Sequence, residues 1–525
     1  MTDPAASAFS TPDALKRLKR RRAADVRFRL YGMGAIFLAL GALVLLAMSI
    51  GAQAVSAATY HVVRYDITLD PAVITPPGEE TPEEIARNVD GFWELLRDNL
   101  LATFPEANKD RAARMEVSEF VTRLAVLPTA KRVASQPQLL GNAITLKAPL
   151  NDDLDLYLKG QAFAERRVGT GAISGVLPQD DGSAQIEGQG AFAPIKTAMM
   201  TLEADGINLS EASVLLTSGS STGRLHDIQS DSASIELLTG TLEAFQGSSA
   251  TARIIALPEA QRVISDQQIA WTLALKDMDR ISRVPRWSLL TNSDSTYPEL
   301  AGGLAALVGS LFTMLVTALV AIPIGILAAV YLEEFAPKNR LTDFIEVNIN
   351  NLAAVPSIVF GLLGAAVYIN FLGMPRSAPL VGGLVLALMT FPVVIIAARA
   401  ALKAVPPSVR SGALAIGASQ MQTVFHHVVP LAAPGIFTGA ILGMARALGE
   451  TAPLLLIGMV AFVGDVPTSP TDESTVMPVL IYTWSNNAER AWEPMTSAMI
   501  VILLAVLLLM NGLVVFLRRK YERRW

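Results

Sequence analysis

Six apolar runs divide this chain, and each is long enough to cross a lipid bilayer. A helix of about 20 apolar residues spans the roughly 30 Å of hydrocarbon in a membrane. The runs are Leu30–Ala54, Leu304–Leu332, Leu352–Leu372, Leu380–Ala398, Ala433–Val460 and Met499–Leu517. The pattern therefore predicts an α-helical polytopic membrane protein with one transmembrane helix at residues 30–54 and five more within residues 298–517.

A long stretch of mixed polarity, residues 55–297, separates the first run from the second. The sequence Thr81-Pro82-Glu83-Glu84 joins an N-cap, a proline at the first helical position and an acid three residues after the cap. It predicts a helix that continues to about Phe104. Short strands are predicted at Ala143–Leu146, Ile235–Leu238 and Ala252–Leu257. We therefore expect an inserted mixed α/β domain.

Two features of this stretch invite a ligand-binding interpretation. Gly219–Gly223 is too short for a phosphate-binding P-loop and lacks its lysine, so a surface loop is predicted. Asp152, Asp153 and Asp155 lack the glycine and terminal glutamate of an EF-hand, so a solvated turn is predicted rather than a calcium site.

With roughly ten more acids than bases, the domain should repel anions.

Basic residues beside the apolar runs predict the orientation of the chain. Lysine and arginine are frequent in the segment at residues 1–29 and in the tail at residues 518–525. The loops and ends of a membrane protein that carry most lysine and arginine usually lie in the cytoplasm. Both termini are therefore predicted in the cytoplasm, with the inserted domain extracytoplasmic. A cleaved signal peptide is disfavoured because the first run is too long and lacks a cleavage site.

Composition agrees with a membrane protein and excludes several kinds of site. Hydrophobic residues make up 51% of the 525 residues and charged residues 17%, which disfavours a wholly water-soluble protein. The chain has no cysteine, so disulfides, thiolate metal sites and cysteine nucleophiles are excluded. It also lacks a Walker A sequence, a nucleophile elbow and a cofactor fingerprint. We expect no enzyme activity, cofactor, metal or nucleic-acid partner.

A polar loop at residues 402–430 separates the fourth apolar run from the fifth. Two prolines restrict the backbone before Ser408, a candidate cap, and a short helix at Val409–Ile416 is predicted to end or bend at Gly417. A loop of this kind beside a membrane suggests a docking surface for a soluble partner. A plain amphipathic connector is the alternative.

The fifth apolar run contains an arginine and a glutamate near its middle. Arg446 and Glu450 stand four residues apart, so on a continuous helix they share one face and can neutralise each other. A guanidinium offers an oxyanion both charge and a planar fork of donors, and Thr451 adds a hydroxyl. Gly443, Gly449 and Pro453 allow close packing or local unwinding. The pair either lies in a translocation path or braces the helix bundle.

Several motifs resemble one transporter family. They are GGLAALVGS at Gly302–Ser310, IPIGILAAVYLEEFAP at Ile322–Pro337, AVPSIVFGLLG at Ala354–Gly364, ARALGETAPLLL at Ala445–Leu456, and the loop register of Gly417 with Pro430 thirteen residues later. The region at residues 302–517 is similar to binding-protein-dependent ABC importer permeases of the type I, MetI-like kind, in particular to the phosphate-uptake permease A subunit. The inserted domain lies outside the usual family core.

The resemblance implies a permease subunit of an ATP-driven inorganic phosphate importer in the cell inner membrane. Its implied partners are membrane lipid, a homologous permease with which it forms a heterodimer, two ATP-binding subunits that hydrolyse ATP, and a periplasmic phosphate-binding protein. The residues implied in coupling to the ATPase are Ser408, Arg410, Ser411, Gly412, Ala413, Gly417 and Pro430. For the substrate pathway, the chemistry of the side chains and their positions make Arg446, Glu450, Thr451 and Arg399 the candidates.

The chain departs from the family pattern at two places. Ser411 replaces the usual loop glutamate and Gly412 the alanine after it, so no salt bridge from position 411 to the ATPase is expected. In the fourth apolar run, Ile396 and Arg399 occupy the positions of a family arginine and glutamate. Arg399 either replaces the missing cation in the path or marks the membrane surface.

Two other functions stay open at this point. A sulfate or molybdate importer would share both the loop and the topology. A membrane sensor or scaffold would explain the inserted domain, but it would not explain the register of Gly417 and Pro430.

Overall fold

The computed structural model describes residues 12–76, 81–179, 183–460 and 462–521. Helix α1 runs from Pro12 to Ala57 and leads into the α/β domain. It is longer than the predicted span at Leu30–Ala54, because the basic segment before that span continues the same helix. The last part of the predicted basic tail, residues 522–525, lies outside the described residues.

The α/β domain combines short strands with short helices. The strands are β1 (Thr59–Thr68), β2 (Ala143–Pro149), β3 (Glu165–Ala172), β4 (Gly175–Pro178), β5 (Ser183–Glu187), β6 (Ser213–Ser218), β7 (Ser221–His226), β8 (Ser232–Thr239), β9 (Ser249–Ile255) and β10 (Ile281–Pro285). The helices are α2 (Pro71–Ile74), α3 (Pro82–Arg87), α4 (Val89–Thr103), α5 (Arg111–Ser118), α6 (Leu127–Ser135), α7 (Asp152–Leu158), α8 (Ala193–Ala204), α9 (Asp266–Asp277) and α10 (Ser288–Thr291).

Antiparallel sheets organise the domain. The smaller has the strand order β10-β1-β2, and the larger has the order β3-β9-β6-β7-β8-β5-β4. In the smaller sheet, Val62 of β1 pairs with Ser282 of β10 on one side and with Pro149 of β2 on the other. Because β1 follows α1 and β10 precedes the remaining membrane helices, both ends of the domain leave from one sheet.

Some local predictions for the domain are confirmed. The side chains of Thr81 and Glu84 each accept a hydrogen bond from the other residue's backbone, which is the predicted capping box. The helix that follows breaks at Asn88, so α3 and α4 replace one continuous helix. The three predicted strands lie within β2, β8 and β9, although β9 ends at Ile255, before the predicted limit.

The surface-loop prediction for Gly219–Gly223 is wrong in its second half. The turn closes at Ser218–Ser221, and β7 begins at Ser221. Ser221 and Thr222 are buried, with 3% and 0% of their surface exposed. Pairing of β7 with β6 and β8 on either side overrides the glycine- and serine-rich composition, since strand formation depends on packing context more than on local propensity.

The aspartate cluster predicted as a solvated turn instead forms the first turn of α7, capped by Asn151. Asp155 is 4% exposed. Its carboxylate lies 2.7 Å from His61 Nδ1 and 2.8 Å from Lys159 Nζ, with Arg286 Nη2 at 3.7 Å. Burial opposes ionisation of Asp155, but these donors outweigh it and hold the pKa of the carboxyl below its usual value.

Ten further helices follow the domain among the described residues. They are α11 (Leu304–Val330), α12 (Arg340–Ala353), α13 (Ser357–Gly364), α14 (Pro379–Lys403), α15 (Pro407–Ala415), α16 (Gln420–Thr423), α17 (Val429–Gly449), α18 (Ala452–Leu456), α19 (Met477–Ser485) and α20 (Trp492–Tyr521). Wider π-helical turns extend α11 over Tyr331–Phe335 and α13 over Ala365–Phe371, and join α16 to α17 over Val424–Val428. Five helices in the described chain are long and apolar enough to cross a membrane, or six if one bent pair is a single span.

The predicted span at Leu352–Leu372 is not one continuous helix. Its first two residues end α12, and the axis turns by 100° before the helix at Ser357–Phe371. Pro356 lies at the bend, and a proline disfavours helical backbone at the residue before it. The second helix measures about 22 Å at ~1.5 Å per residue, which is less than the roughly 30 Å of a bilayer core.

The core of the α/β domain offers a direct test of the fold. Trp271 is fully buried, its ring centroid lies 5.6 Å from that of Phe104, and its Nε1 donates to Glu106 at 2.9 Å. Replacing it with alanine should destabilise the domain by about 3–5 kcal/mol, because the cavity cannot refill completely. Thermal unfolding and limited proteolysis of the detergent-purified protein measure the change.

Trp287→Ala is the matched control, because Trp287 is 68% exposed. It should change the unfolding temperature little, since exposed substitutions alter stability by about 0.5 kcal/mol or less. Equal effects of the two substitutions would contradict this description of the core.

Candidate functional site

The polar loop contains a short helix with a defined end. Helix α15 begins at Pro407, so Pro406 rather than the predicted Ser408 occupies the cap position. At the other end Gly417 has a φ of 92°, its N–H donates to Leu414 O, and the next N–H donates to Ala413 O. Left-handed backbone of this kind ends many helices and favours glycine. The predicted role of Gly417 in ending the helix is confirmed.

The residues predicted for coupling differ in exposure. Ser408, Ser411, Gly412, Gly417 and Pro430 are exposed, whereas Arg410 is half-buried and Ala413 is buried. Large apolar side chains that the sequence analysis did not single out are exposed beside them: Leu414, Ile416, Met421 and Phe425. Ile416 alone leaves 81% of its surface exposed. The loop therefore presents an apolar surface with a polar margin.

Arg410 faces inward, toward the end of α11. Its Nη2 lies 2.6 Å from Glu334 Oε1 and its Nε lies 3.2 Å from Glu334 Oε2. The same guanidinium donates to Val405 O at 2.8 Å and to Leu402 O at 2.9 Å. Hydrogen bonds that Arg410 donates to Glu334 raise the pKa of Arg410 above its usual value, so the guanidinium stays charged.

Arg399 also pairs with carboxylates. Its Nη2 lies 2.6 Å from Glu346 Oε1 of α12, and its Nε lies 3.4 Å from Glu333 Oε2. Lys403 approaches Glu333 at 3.6 Å. Arg399 thus belongs to a group of ion pairs at the end of α14 that leads into the polar loop.

Arg446 lies at a different level of the bundle. Helices α14 and α17 pack antiparallel, and a methyl group at Gly435 or Gly439 would overlap Ala401 or Ala397 respectively. A Cβ at Gly443 would lie 2.9 Å from Thr390, near the middle of the 25-residue α14, and Arg446 follows three residues later on α17. Arg399 lies about 13 Å from Thr390 along α14, at ~1.5 Å per residue. The structure brings Arg446 and Glu450 together, with Thr451 next in the chain, but leaves Arg399 apart from them.

Helix α17 unwinds immediately after this level. It ends at Gly449, and Glu450 has extended backbone with φ −80° and ψ 122°. The local unwinding predicted around Gly449 is confirmed. The predictions of one apolar span over Ala433–Val460 and of a shared helical face for Arg446 and Glu450 are therefore wrong. The two side chains still meet, with Arg446 Nε 3.5 Å from Glu450 Oε1.

A second short helix continues the chain after the unwound residues. Helix α18 packs on α13, where a Cβ at Gly361 would lie 2.7 Å from Pro453 Cα. The small residue at 361 thus permits close backbone contact. On α17, Leu442, Arg446 and Gly449 form an exposed stripe at helical spacing, and the Arg446 side chain is 49% exposed. The unwound segment thus lies between a packed helix, α18, and an exposed stripe of α17.

Family comparisons match two parts of the chain. Residues 321–523 match the family described as binding-protein-dependent transport system inner membrane component, and residues 15–167 match a domain of unknown function, DUF3333. The phosphate transport system permease protein PstA of Mycobacterium leprae is 36% identical over 229 residues, which cover 42% of this chain and 73% of that protein. The chain belongs to the permease family of binding-protein-dependent ABC importers.

Two further similarities also cover less than half of this chain. The probable ABC transporter permease protein YqgI of Bacillus subtilis is 35% identical over 170 residues, and the match spans 57% of its length and 32% of this chain. Inward-facing crystal structures of the MetNI methionine ABC transporter include one at 17% identity that covers 41% of this chain and 94% of that chain, with a TM-score of 0.33.

Family membership makes the chain a multi-pass inner-membrane transport component rather than an enzyme. The permease carries two features that sequence reasoning missed, the carboxylates at Glu333 and Glu334 and the exposed apolar side chains of the loop. The first had a signal, because two adjacent acids end an otherwise apolar run. The second had none, since leucine, isoleucine, methionine and phenylalanine in a short helix usually indicate burial.

Proposed function

We propose that this permease is the phosphate-translocating subunit of an ATP-driven importer. The phosphate transport permease named among its relatives supports the substrate class. The observation that carries the proposal is the half-exposed guanidinium of Arg446, beside an unwound segment at the middle of the helix bundle. A charge at that depth is costly unless it serves a pathway or has a strong partner.

The geometry of the Arg446 pair favours the pathway over bracing. A bracing ion pair should be buried and closely hydrogen-bonded. Among the described residues, Arg446 has one ion-pair contact, at 3.5 Å, and about half of its side-chain surface is exposed. Its fork of donors can therefore turn toward an oxyanion while Glu450 neutralises it between transport events. Thr451 and the non-helical backbone at Glu450 supply further polar groups where water-lined cavities tolerate irregular structure.

The polar loop is the proposed coupling element. Its exposed apolar surface, Leu414, Ile416, Met421 and Phe425, suits a groove on an ATP-binding subunit. Ser408, Ser411, Gly412, Gly417 and Pro430 border this surface. Arg410 and Ala413 hold the helix from inside rather than contacting the ATPase.

The assembly follows from the same reasoning. The stripe of Leu442, Arg446 and Gly449 would face a homologous permease, so that two subunits enclose the path. Two ATP-binding subunits would dock on the loops, and an external phosphate-binding protein would deliver substrate. The basic residues near both termini favour cytoplasmic ends, with the α/β domain outside the cell membrane.

Arg446→Ala should abolish phosphate uptake by the complete complex in proteoliposomes, because the path loses its anion-binding charge. Membrane insertion and subunit assembly should stay at wild-type levels. Leu442→Ala, one turn away on the same exposed stripe, is the control and should keep most of the uptake. Normal transport by the Arg446 variant would assign Arg446 to bracing.

Substrate selectivity is tested by competition. Unlabelled phosphate in excess should eliminate uptake of radiolabelled phosphate, whereas equal sulfate or molybdate should leave it unchanged. Strong competition by sulfate or molybdate would favour the alternative oxyanion importers instead.

Gly417→Ile should release the ATP-binding subunit, because a β-branched residue resists a φ of 92° and the end of α15 must rearrange. Co-purification of the subunits measures this. Gly412→Ala is the matched control: a Cβ there meets nothing within 4 Å and the backbone is helical, so binding should persist. Retention of the ATPase by the Gly417 variant would argue against docking through the end of α15.

A further inference from the structure

We propose that Glu334 and Arg410 form a clamp that makes the end of α11 move with the coupling helix α15. The proposal rests on the docking role assigned above to the polar loop. It adds a route by which a movement of α15 is transmitted to α11, a span that does not adjoin the loop in sequence. Glu334 and Arg410 act as positioning residues and need not touch phosphate.

The chain itself connects α15 to only two spans. Residues 404–406 join it to α14, and residues 416–428 join it through α16 to α17. Helix α11 ends some seventy residues earlier, so its response to the loop depends on contacts through space. Arg410 and Glu334 are 76 positions apart in sequence and supply such a contact.

Arg410 joins three elements with one planar group. It lies on α15, binds both carboxylate oxygens of Glu334 on α11, and donates to the carbonyl oxygens of Leu402 and Val405 at the end of α14. Lysine could not reproduce this arrangement, because an ammonium group lacks the planar fork. The Glu334 side chain is 9% exposed and that of Arg410 is 26% exposed, so water competes weakly with the pair.

Glu334 contacts both short helices of the polar loop, α15 and α16. Its side chain binds Arg410 of α15, while its carbonyl oxygen accepts from Gln420 Nε2 of α16 at 2.7 Å. In space, the residue therefore bridges the two short helices. A displacement of either short helix would therefore pull on the same residue, Glu334, at the end of α11.

The local backbone allows two adjacent glutamates to serve different partners. Tyr331–Phe335 is a π-helical turn, closed by a hydrogen bond from Ala336 N to Tyr331 O at 2.8 Å. Glu333 reaches Arg399 and Lys403 of α14, whereas Glu334 reaches the loop. Single-turn π segments occur often at functional sites. Glu333 thus provides a neighbouring carboxylate that ties α11 to a span rather than to the loop.

Apolar packing behind the clamp keeps α11 against the bundle. Val330 and Leu332 of α11 share one buried cluster with Leu402, Val405 and Val424. This cluster should hold the helices together without the ion pair. Loss of the pair is therefore expected to loosen the transmission of movement rather than to unfold the subunit.

The test compares Glu334→Gln, Arg410→Gln and the double variant in the complete reconstituted complex, with Glu333→Gln as the matched control. Phosphate taken up per ATP hydrolysed should fall about tenfold in both single variants, within the range of typical coupling free energies. The ATP-binding subunit should co-purify at wild-type stoichiometry. The double variant should be no worse than either single variant, because both remove one interaction.

The outcomes separate the clamp from other roles. A wild-type ratio of phosphate to ATP in both single variants overturns the clamp, and so does an equal loss in Glu333→Gln. Loss of ATPase co-purification in Arg410→Gln would make Arg410 a docking residue and also overturn it. A wild-type complex that carries no phosphate refutes the proposed substrate, but it leaves the following distance measurement valid.

The chain has no native cysteine, so two can be introduced without background labelling. Spin labels at Lys338→Cys and Ser411→Cys, both at exposed positions, report the distance between the end of α11 and α15. A clamp predicts one narrow distance distribution that ATP binding does not shift, and a broader one when Glu334→Gln is added. A wild-type distance that shifts with ATP would refute the clamp even if the transport variants fold poorly.

Discussion

The cost of an unpaired charge in an apolar surrounding shapes the functional half of this protein. An ion transferred from water to a protein interior loses several kcal/mol of solvation, so a buried charge needs a partner with good geometry. Arg399 and Arg410 meet this condition with carboxylates at 2.6 Å. Each pairing joins helices that the chain separates, so the same requirement also fixes how α11, α12, α14 and α15 lie together.

Arg446, unlike Arg399 and Arg410, has only a long contact with a carboxylate. In the part of the chain that the structure describes, its one carboxylate contact is 3.5 Å long, and its side chain is 49% exposed, against 15% for Arg399 and 26% for Arg410. A guanidinium held this weakly is available to a second anion. The unwound residues after Gly449 add polar backbone at the same level, which a continuous helix would have hidden. Loose pairing and local unwinding thus support the proposed pathway together.

The inserted domain meets the same constraint where it joins the membrane helices. The Asp155 carboxylate pairs with His61, Lys159 and Arg286. Arg286 also donates a hydrogen bond to Pro298 O at 3.2 Å. Lys159 donates to Ser56 O near the end of α1 at 2.8 Å. These contacts fix the base of the domain to the segments that enter and leave it. The domain is thus held in a defined position rather than tethered by a linker.

The sequence alone determined the features that depend on neighbours along the chain. Apolar run length indicated the membrane helices other than the bent segment around Leu352–Leu372, the residues at Thr81–Glu84 specified a capping box, and the glycine at 417 marked the end of α15. Each depends on backbone geometry or on a few adjacent side chains, which a sequence displays directly. The family motifs likewise identified the permease region, because they are contiguous.

Only the tertiary structure decided which distant groups meet. The burial of Ser221 and Asp155 and the pairing of Arg410 with Glu334 have no local signature. Each depends on the packing of segments far apart in sequence, which sets the solvent exposure and the partners of a side chain. Arg410 shows the difference most clearly: its sequence position suggested contact with a partner protein, whereas packing of α11 against the loop supplied a carboxylate within the same chain.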